Sequence, residues 1–162
     1  MYTNGVKNLK LIVFSDSHDT HNILPLVYEA DKIKPDMFIF LGDRVEDIKS
    51  LMDDKILYVK GNGDFLQNAP ELVVTNIAGK KVMLTHGHRY SVKSSLYQLT
   101  AAAREQQADI VFFGHTHMPV YYEEENIHYC NPGALKDGEY AVCEIDGERI
   151  RVVHRKLNNE ML

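Results

Sequence analysis

Short apolar runs recur along the chain, each long enough for one buried strand and each stopped by polar or glycine residues. Leu11-Ile12-Val13-Phe14 leads to Asp16, Met37–Leu41 to Asp43, Ile56–Val59 to Asn62, Val82-Met83-Leu84 to His86, and Ile110–Phe113 to His115. Runs of this length, bounded by breakers, read as buried strands. In open α/β sheets ligands gather outside the carboxyl ends of the strands, so five separate segments are expected to assemble one polar site.

Helical spacing fills the gaps between the early runs. Ile23, Leu26, Val27 and Ala30 fall at i, i+3, i+4, i+7 and predict a helix from about His21 to Ile33, with Asn22 as its cap and Pro25 in its first turn. Pro35 ends it, and Val45, Ile48 and Leu51 predict a short second helix before the strand at Ile56–Val59. Such βαβ alternation implies a largely parallel sheet. The second half changes character. Leu72–Ile77 and Lys81–Thr85 flank Ala78-Gly79-Lys80 as a hairpin, and Val92, Leu96, Leu99 and Ala103 predict one more helix. Val120–Glu123 with Ile127–Cys130, and Glu139–Ile145 with Glu148–Arg155 around Asp146-Gly147, read as antiparallel pairs. This is more strand than one small sheet holds. The expected fold class is α/β, with two packed mixed β-sheets flanked by helices.

Composition narrows the class. A chain of 162 residues, 44% hydrophobic and 25% charged, is expected to form a single domain over 1–162. No apolar stretch approaches the roughly 20 residues of a membrane span, and Met1–Lys10 lacks the apolar segment of a signal peptide, so a cytoplasmic protein without a membrane partner is expected. Cys130 and Cys143 lie in apolar context without metal-site spacing and read as buried small hydrophobes. The formal net charge of -5 comes with no long basic run, which argues against duplex nucleic acid as a partner. A small anionic substrate stays open, because a bound metal reverses the local field.

The histidines are not scattered. Six of eight fall in close groups: His18 with His21, His86 with His88, and His115 with His117. In extended backbone, residues two apart point the same way, so Asp16 with His18 and His115 with His117 are each expected to offer two ligand atoms to one small volume. One such pair alone reads equally well as surface histidine beside a turn; several at strand ends point to metal.

Asp16-Ser17-His18, Gly42-Asp43, Gly61-Asn62, His86-Gly87-His88 and Gly114-His115-Thr116-His117 follow one another in the order of the blocks D-x-H, G-D, G-N, H-x-H and G-H-x-H. In that order the chain resembles the calcineurin-like metallophosphoesterase superfamily, and Asn131-Pro132-Gly133 with the short length makes it most similar to the small bacterial and archaeal phosphodiesterase branch. The resemblance implies an αββα sandwich and two divalent transition metal ions, one held by Asp16, His18, Asp43 and His117, the other by Asp43, Asn62, His86 and His115. Asp43 would bridge them. Imidazole with carboxylate suits manganese first here, with iron, zinc, nickel or cobalt as alternatives. Two such ions facing only two carboxylates leave a positive site for a phosphate ester, hydrolysed by a two-metal-activated water.

One departure from the wider family is informative. Many relatives carry histidine after the G-N pair, whereas Gly63 and Asp64 stand here. Without that proton donor, diesters with good leaving groups should react best, and His88 is the candidate substitute. The expected function is therefore a phosphodiesterase on a small phosphate-ester or nucleotide-like substrate, with Asp43, Asn62 and His88 as candidate catalytic residues. The alternatives are a phosphomonoesterase or single-strand nuclease, and a non-catalytic protein-interaction scaffold like the retromer subunit of similar fold. Lesser expectations concern single residues: Asp19 and His21 as helix-start charge, Arg44 as an ion pair, Asn131-Pro132-Gly133 as a supporting turn, and His128 and His154 as structural residues without partners. Tyr121 and Tyr122 are expected to pack across their hairpin, Arg89 and Tyr90 to border the substrate pocket, and an exposed hairpin edge leaves self-association open.

Overall fold

Each apolar run becomes a strand. The computed structural model describes residues 8–18 and 23–158. Its strands are β1 (Leu9–Phe14), β2 (Met37–Phe40), β3 (Ile56–Tyr58), β4 (Leu72–Ile77), β5 (Lys80–Thr85), β6 (Ile110–Phe112), β7 (Val120–Glu124), β8 (Ile127–Asn131), β9 (Glu139–Asp146) and β10 (Arg149–Lys156). The helices are α1 (Leu24–Ile33) and α2 (Tyr97–Glu105), with 3-10 turns at Val45–Leu51, His88–Tyr90 and Leu135–Asp137.

Two mixed five-stranded sheets result, in the orders β10-β9-β1-β2-β3 and β4-β5-β6-β8-β7. β1, β2 and β3 are parallel, as are β5, β6 and β8, while the hairpin partners run antiparallel. Strand alternation sets the layers. Leu11 and Val13 of β1 face the other sheet and join Ile39, Leu41, Val82, Leu84, Ile110 and Phe112 in a shared core. Ile12 and Phe14 turn outward onto Leu26 and Ala30 of α1 and onto Ile48 and Leu51 of the first 3-10 turn. On the far side Met83, Val111 and Tyr129 pack with Leu99 and Ala103 of α2. The order helix, sheet, sheet, helix is the expected αββα sandwich. Each fully buried aliphatic or Phe side chain in the shared layer contributes about 1.5–3 kcal/mol.

Cys130 and Cys143 are free thiols within that layer, and burial pushes both thiol pKa values up, Cys143 to about 12. Within the described residues no helix is long and apolar enough to cross a membrane.

Three local expectations need correction. α2 starts at Tyr97 rather than near Val92, because Ser91 is left-handed (φ 51), its carbonyl accepts from Ser94 and Ser95, and the Ser95 hydroxyl takes the Tyr97 N–H at 3.4 Å. Serines compete for backbone groups in this way. Val92 is still buried beside Leu99, so the apolar spacing reported packing and not helix. The first hairpin closes on Ala78-Gly79 alone (φ 52 and 82), with Lys80 already paired to Ile77; positive φ at both central residues matches the twist of the flanking strands. α1 begins at Leu24, its N-cap residue Ile23 makes no side-chain cap bond, and Pro25 sits in the first turn as expected. Asp19, His21 and Asn22 lie outside the described residues.

Phe112 is fully buried between the sheets. Phe112→Ala should cost about 3–5 kcal/mol in denaturant unfolding with the slope unchanged; a cost below about 1 kcal/mol would mean the layer between the sheets is not the stabilising core.

Candidate metal centre

The carboxyl ends of β1, β2, β5 and β6 meet where the two sheets abut, and their polar residues converge there. Asp16 Oδ1 lies 3.2 Å from His117 Nε2, 3.5 Å from His18 Nε2 and 3.8 Å from His86 Nε2. Asp43 places Oδ2 3.6 Å from His18 Nε2 and Oδ1 3.5 Å from His86 Nε2. The rings also meet each other, His18 Nε2 to His117 Nε2 at 3.1 Å and His86 Nε2 to His115 Nδ1 at 3.2 Å. Among the described residues two groupings emerge that are compact enough for one ion each, Asp16-His18-His117 and Asp16-Asp43-His86. Asp16 thus belongs to both.

His86 carries the test of fit. Its Nδ1 lies 2.8 Å from the Leu41 carbonyl oxygen, which only accepts, so Nδ1 bears the hydrogen and Nε2 is the atom turned toward Asp16 and Asp43, where it can serve a metal as a ligand. Asp16 Oδ1 is moreover buried without any hydrogen-bond partner, while Oδ2 is held by Ser15 Oγ at 2.5 Å and by the His115 N–H at 3.1 Å. A buried carboxylate oxygen left bare beside three imidazole nitrogens is matched by a cation, so the donor set fits divalent metal. Carbonyl-anchored imidazole is also the usual arrangement behind a metal-bound histidine.

The backbone achieves this aim in an unexpected way. Convergence was expected from extended strand ends, yet Asp16, His18, Asp43, His115 and His117 all have positive φ, between 26 and 69. Left-handed turns, not strand alternation, bring the paired donors together, at about 1–3 kcal/mol of strain each. Neighbouring loops hold these turns: the Asp16 N–H donates to the Gly42 carbonyl at 2.9 Å, and the Gly114 N–H to the His86 carbonyl at 2.9 Å. Gly61 and Gly114 permit the close approach. A Cβ on Gly61 would sit 2.1 Å from Asp43 Oδ1, and one on Gly114 2.2 Å from Ser15 Oγ.

Asp64 escaped the sequence reading as more than a departure. Its buried carboxylate accepts four backbone N–H groups: Asp43 and Gly61 on Oδ2, both at 2.9 Å, and Arg44 and Val45 on Oδ1, at 2.8 and 2.9 Å. Arg44, the N-cap residue of the 3-10 turn, makes no side-chain cap bond of its own. Asp64 caps that turn from the next strand end and clamps the Asp43 loop to the Asn62 loop. The spacing N-G-D after an apolar run was the available signal. Asn131 was read as part of a supporting turn, and its side chain donates to the Gly114 carbonyl at 3.1 Å and to Thr116 Oγ1 at 3.0 Å.

Other candidates stand further out. Asn62 is exposed, between Gly61 and Gly63, whose N–H donates to Asp43 Oδ1 at 2.9 Å. His88 is half-buried, its ring 5.5 Å from that of His86 and 6.2 Å from that of His115, with Nδ1 buried and unpartnered. Burial, aided by the neighbouring His86, holds its pKa below the usual histidine range. The same two causes, in the same order, push His115 down to about 4. Arg44 pairs with Glu46 at 2.8 Å, as expected, and Arg89 with Glu71. Tyr121 stacks on His128 and Tyr122 on Tyr129 across the hairpin. His128 and His154 do have partners, the Tyr121 hydroxyl at 2.8 Å across the β7–β8 pair and the Asn131 carbonyl at 2.7 Å from the other sheet.

Residues 9–148 match the model of the calcineurin-like phosphoesterase superfamily domain. The chain is similar to a protein of Bacillus subtilis named as a probable metallophosphoesterase, 26% identical over 79% of this chain and 76% of that one. Among solved structures it resembles a predicted phosphoesterase from Streptococcus pneumoniae, with TM-score 0.78 and 30% identity over 93% of this chain and 90% of the other. Vps29 from Entamoeba histolytica (TM-score 0.72, 20% identity, 93% and 100% covered) and an archaeal phosphodiesterase (0.70, 24%, 91% and 100%) share the fold.

Asp64→Asn keeps the side-chain shape but removes the charge and one acceptor, and should cost about 3 kcal/mol in unfolding free energy while weakening metal uptake; unchanged stability would show that the clamp is not needed. The low His115 pKa has a sign that can be checked. Between about 4 and 6.5 the unfolded chain binds a proton there that the folded chain refuses, so the metal-free protein should lose stability as pH falls through that window. NMR of the ring should give a midpoint near 4, and one near 6.5 would contradict its burial.

Proposed function

The chain belongs to the calcineurin-like phosphoesterase superfamily, and from that premise we propose that it is a metal-dependent phosphodiesterase acting on small phosphate diesters. Family membership supports a hydrolase of phosphoester bonds and implies divalent metal. The diester preference and the two-ion assignment are the finer reading. One ion would rest on Asp16, His18, Asp43 and His117, and a second on Asp43, Asn62, His86 and His115, with manganese the first choice. The observation that carries this reading is the bare, buried Asp16 Oδ1 among three imidazole nitrogens. When bound, such ions supply Lewis-acid polarisation of the phosphoryl group and an acidified water.

The protein's own groups do the positioning. Gly63 N–H orients the Asp43 carboxylate, and the Leu41 carbonyl fixes the His86 tautomer. Burial keeps His115 neutral and ready to bind. Asn62 brings an oxygen without charge, so Asp16 and Asp43 are the anions at the centre and the loaded site favours phosphate.

Diester preference follows from what the site lacks. Gly63 occupies the position where many relatives carry a proton-donating histidine. His88 is a poor replacement, because its lowered pKa leaves the ring mostly unprotonated at neutral pH. Chemistry without a leaving-group acid favours esters whose leaving oxygen is already stable. The scaffold alternative has support only from the shared fold, which does not fix function.

Chelation should abolish turnover, and manganese should restore it; full activity after verified metal loss would exclude the mechanism. With p-nitrophenol as the common leaving group, kcat/KM should favour bis(p-nitrophenyl) phosphate over p-nitrophenyl phosphate by about 10-fold, roughly 1.4 kcal/mol. A monoester preference would overturn the diester assignment while keeping the hydrolase. His88→Ala should slow activated and unactivated diesters by the same factor, whereas a selective loss on unactivated ones would make His88 the general acid.

A further inference from the structure

A groove of about 420 Å³ opens beside the metal centre, on the α2 side of the second sheet. Val92, Leu96, Phe113 and Met118 give it apolar walls, and Thr116 and Lys93 are its polar members. Its position ties it to the centre through the chain itself. Phe113 lies two residues before His115, Thr116 separates His115 from His117, and Met118 follows His117. Lys93 of the groove also acts electrostatically on His115, which sets the groove's edge near that ring.

Resting on the phosphodiesterase reading, we infer that this groove is the subsite for one ester group of the substrate, and that the group is a flat aromatic ring of nucleobase size. The volume falls within the range of small-ligand pockets, and mostly apolar walls with a few fixed polar groups are their usual lining. Met118 is 69% exposed, an unbranched thioether standing free at the rim. Thioethers make favourable contacts with ring edges. Thr116 Oγ1 already accepts from Asn131 Nδ2 at 3.0 Å and from the Met118 N–H at 3.2 Å. A hydroxyl that accepts twice keeps its own hydrogen to donate, so Thr116 can serve an acceptor such as a ring nitrogen or carbonyl. Lys93, exposed at the edge, adds a cation that suits an anionic ester. An alkyl ester would leave the Thr116 donor unmatched, which is why the ring is favoured over a lipid-like chain.

Phenyl phosphate and methyl phosphate, titrated into the manganese-loaded protein by calorimetry, share the anchor and differ in the ring. Phenyl phosphate should bind about 10-fold more tightly, and Met118→Glu, at an exposed position that the fold tolerates, should shrink that ratio to near unity. Equal affinities, or a ratio unmoved by Met118→Glu, overturn the subsite. If neither phosphate binds, the phosphoesterase reading fails, and the groove is then read by itself. Adenosine in the millimolar range should shift the Met118 methyl resonance of the protein, identified by its absence in Met118→Ala; no shift overturns the proposal.

Discussion

Crowding of metal-ligand donors into one small volume is the constraint around which the molecule is built. Asp16 Oδ1, the Asp43 carboxylate and the ring nitrogens of His18, His86, His115 and His117 stand 3.1–3.8 Å apart in contacting pairs. A flexible chain would separate such groups. Here they are carried by four strands, two in each sheet, whose shared apolar layer fixes their carboxyl ends side by side. His86 shows the coupling most directly, since it sits at the end of β5 in one sheet and donates to Leu41 at the end of β2 in the other. The core of the sandwich thus holds in place a crowded donor set that suits a cation.

Strands decide which residues arrive, and loops decide where their side chains point. The positive φ values at Asp16, His18, Asp43, His115 and His117 are costly for residues with a Cβ, and they persist because neighbouring loops over-determine them. Asp64 is the clearest case. One carboxylate gathers the N–H groups of Asp43, Arg44, Val45 and Gly61, so two strand-end loops become a single rigid body. A preorganised donor set of this kind needs little rearrangement to accept an ion.

The readable part of this protein is periodic or local. Short continuous apolar runs bounded by breakers located the strands, and block order with glycines at strand ends located the converging residues, because both depend on neighbours in sequence. What stayed hidden depends on neighbours in space. Nothing within a few residues of Asp64 announces that its acceptors serve Asp43, Arg44 and Val45, at separations of 19 to 21 residues. The same holds for His154, read as lacking a partner, which meets the Asn131 carbonyl of β8 only because the two sheets pack together. Val92 misled in the opposite sense, since burial against α2 imitates membership of the helix. Left-handed turns at residues other than glycine have no compositional mark at all.

Gly63 joins the chemistry to the architecture. Its missing side chain first looks like a lost proton donor, but the loop gives a geometric reason for glycine there. The Gly63 N–H donates to Asp43 Oδ1 at 2.9 Å, and a Cβ at this position would lie 3.3 Å from the same oxygen, tighter than ordinary contact. Asp64, the next residue, must keep its carboxylate within reach of four N–H groups, so the loop has little freedom to back away. Rigid placement of Asp43 and a side chain at position 63 therefore compete for the same few tenths of an ångström. A site that settles this in favour of glycine holds its carboxylate more tightly and forgoes leaving-group protonation from that loop. That is the geometric ground for the proposed preference for esters that depart without help.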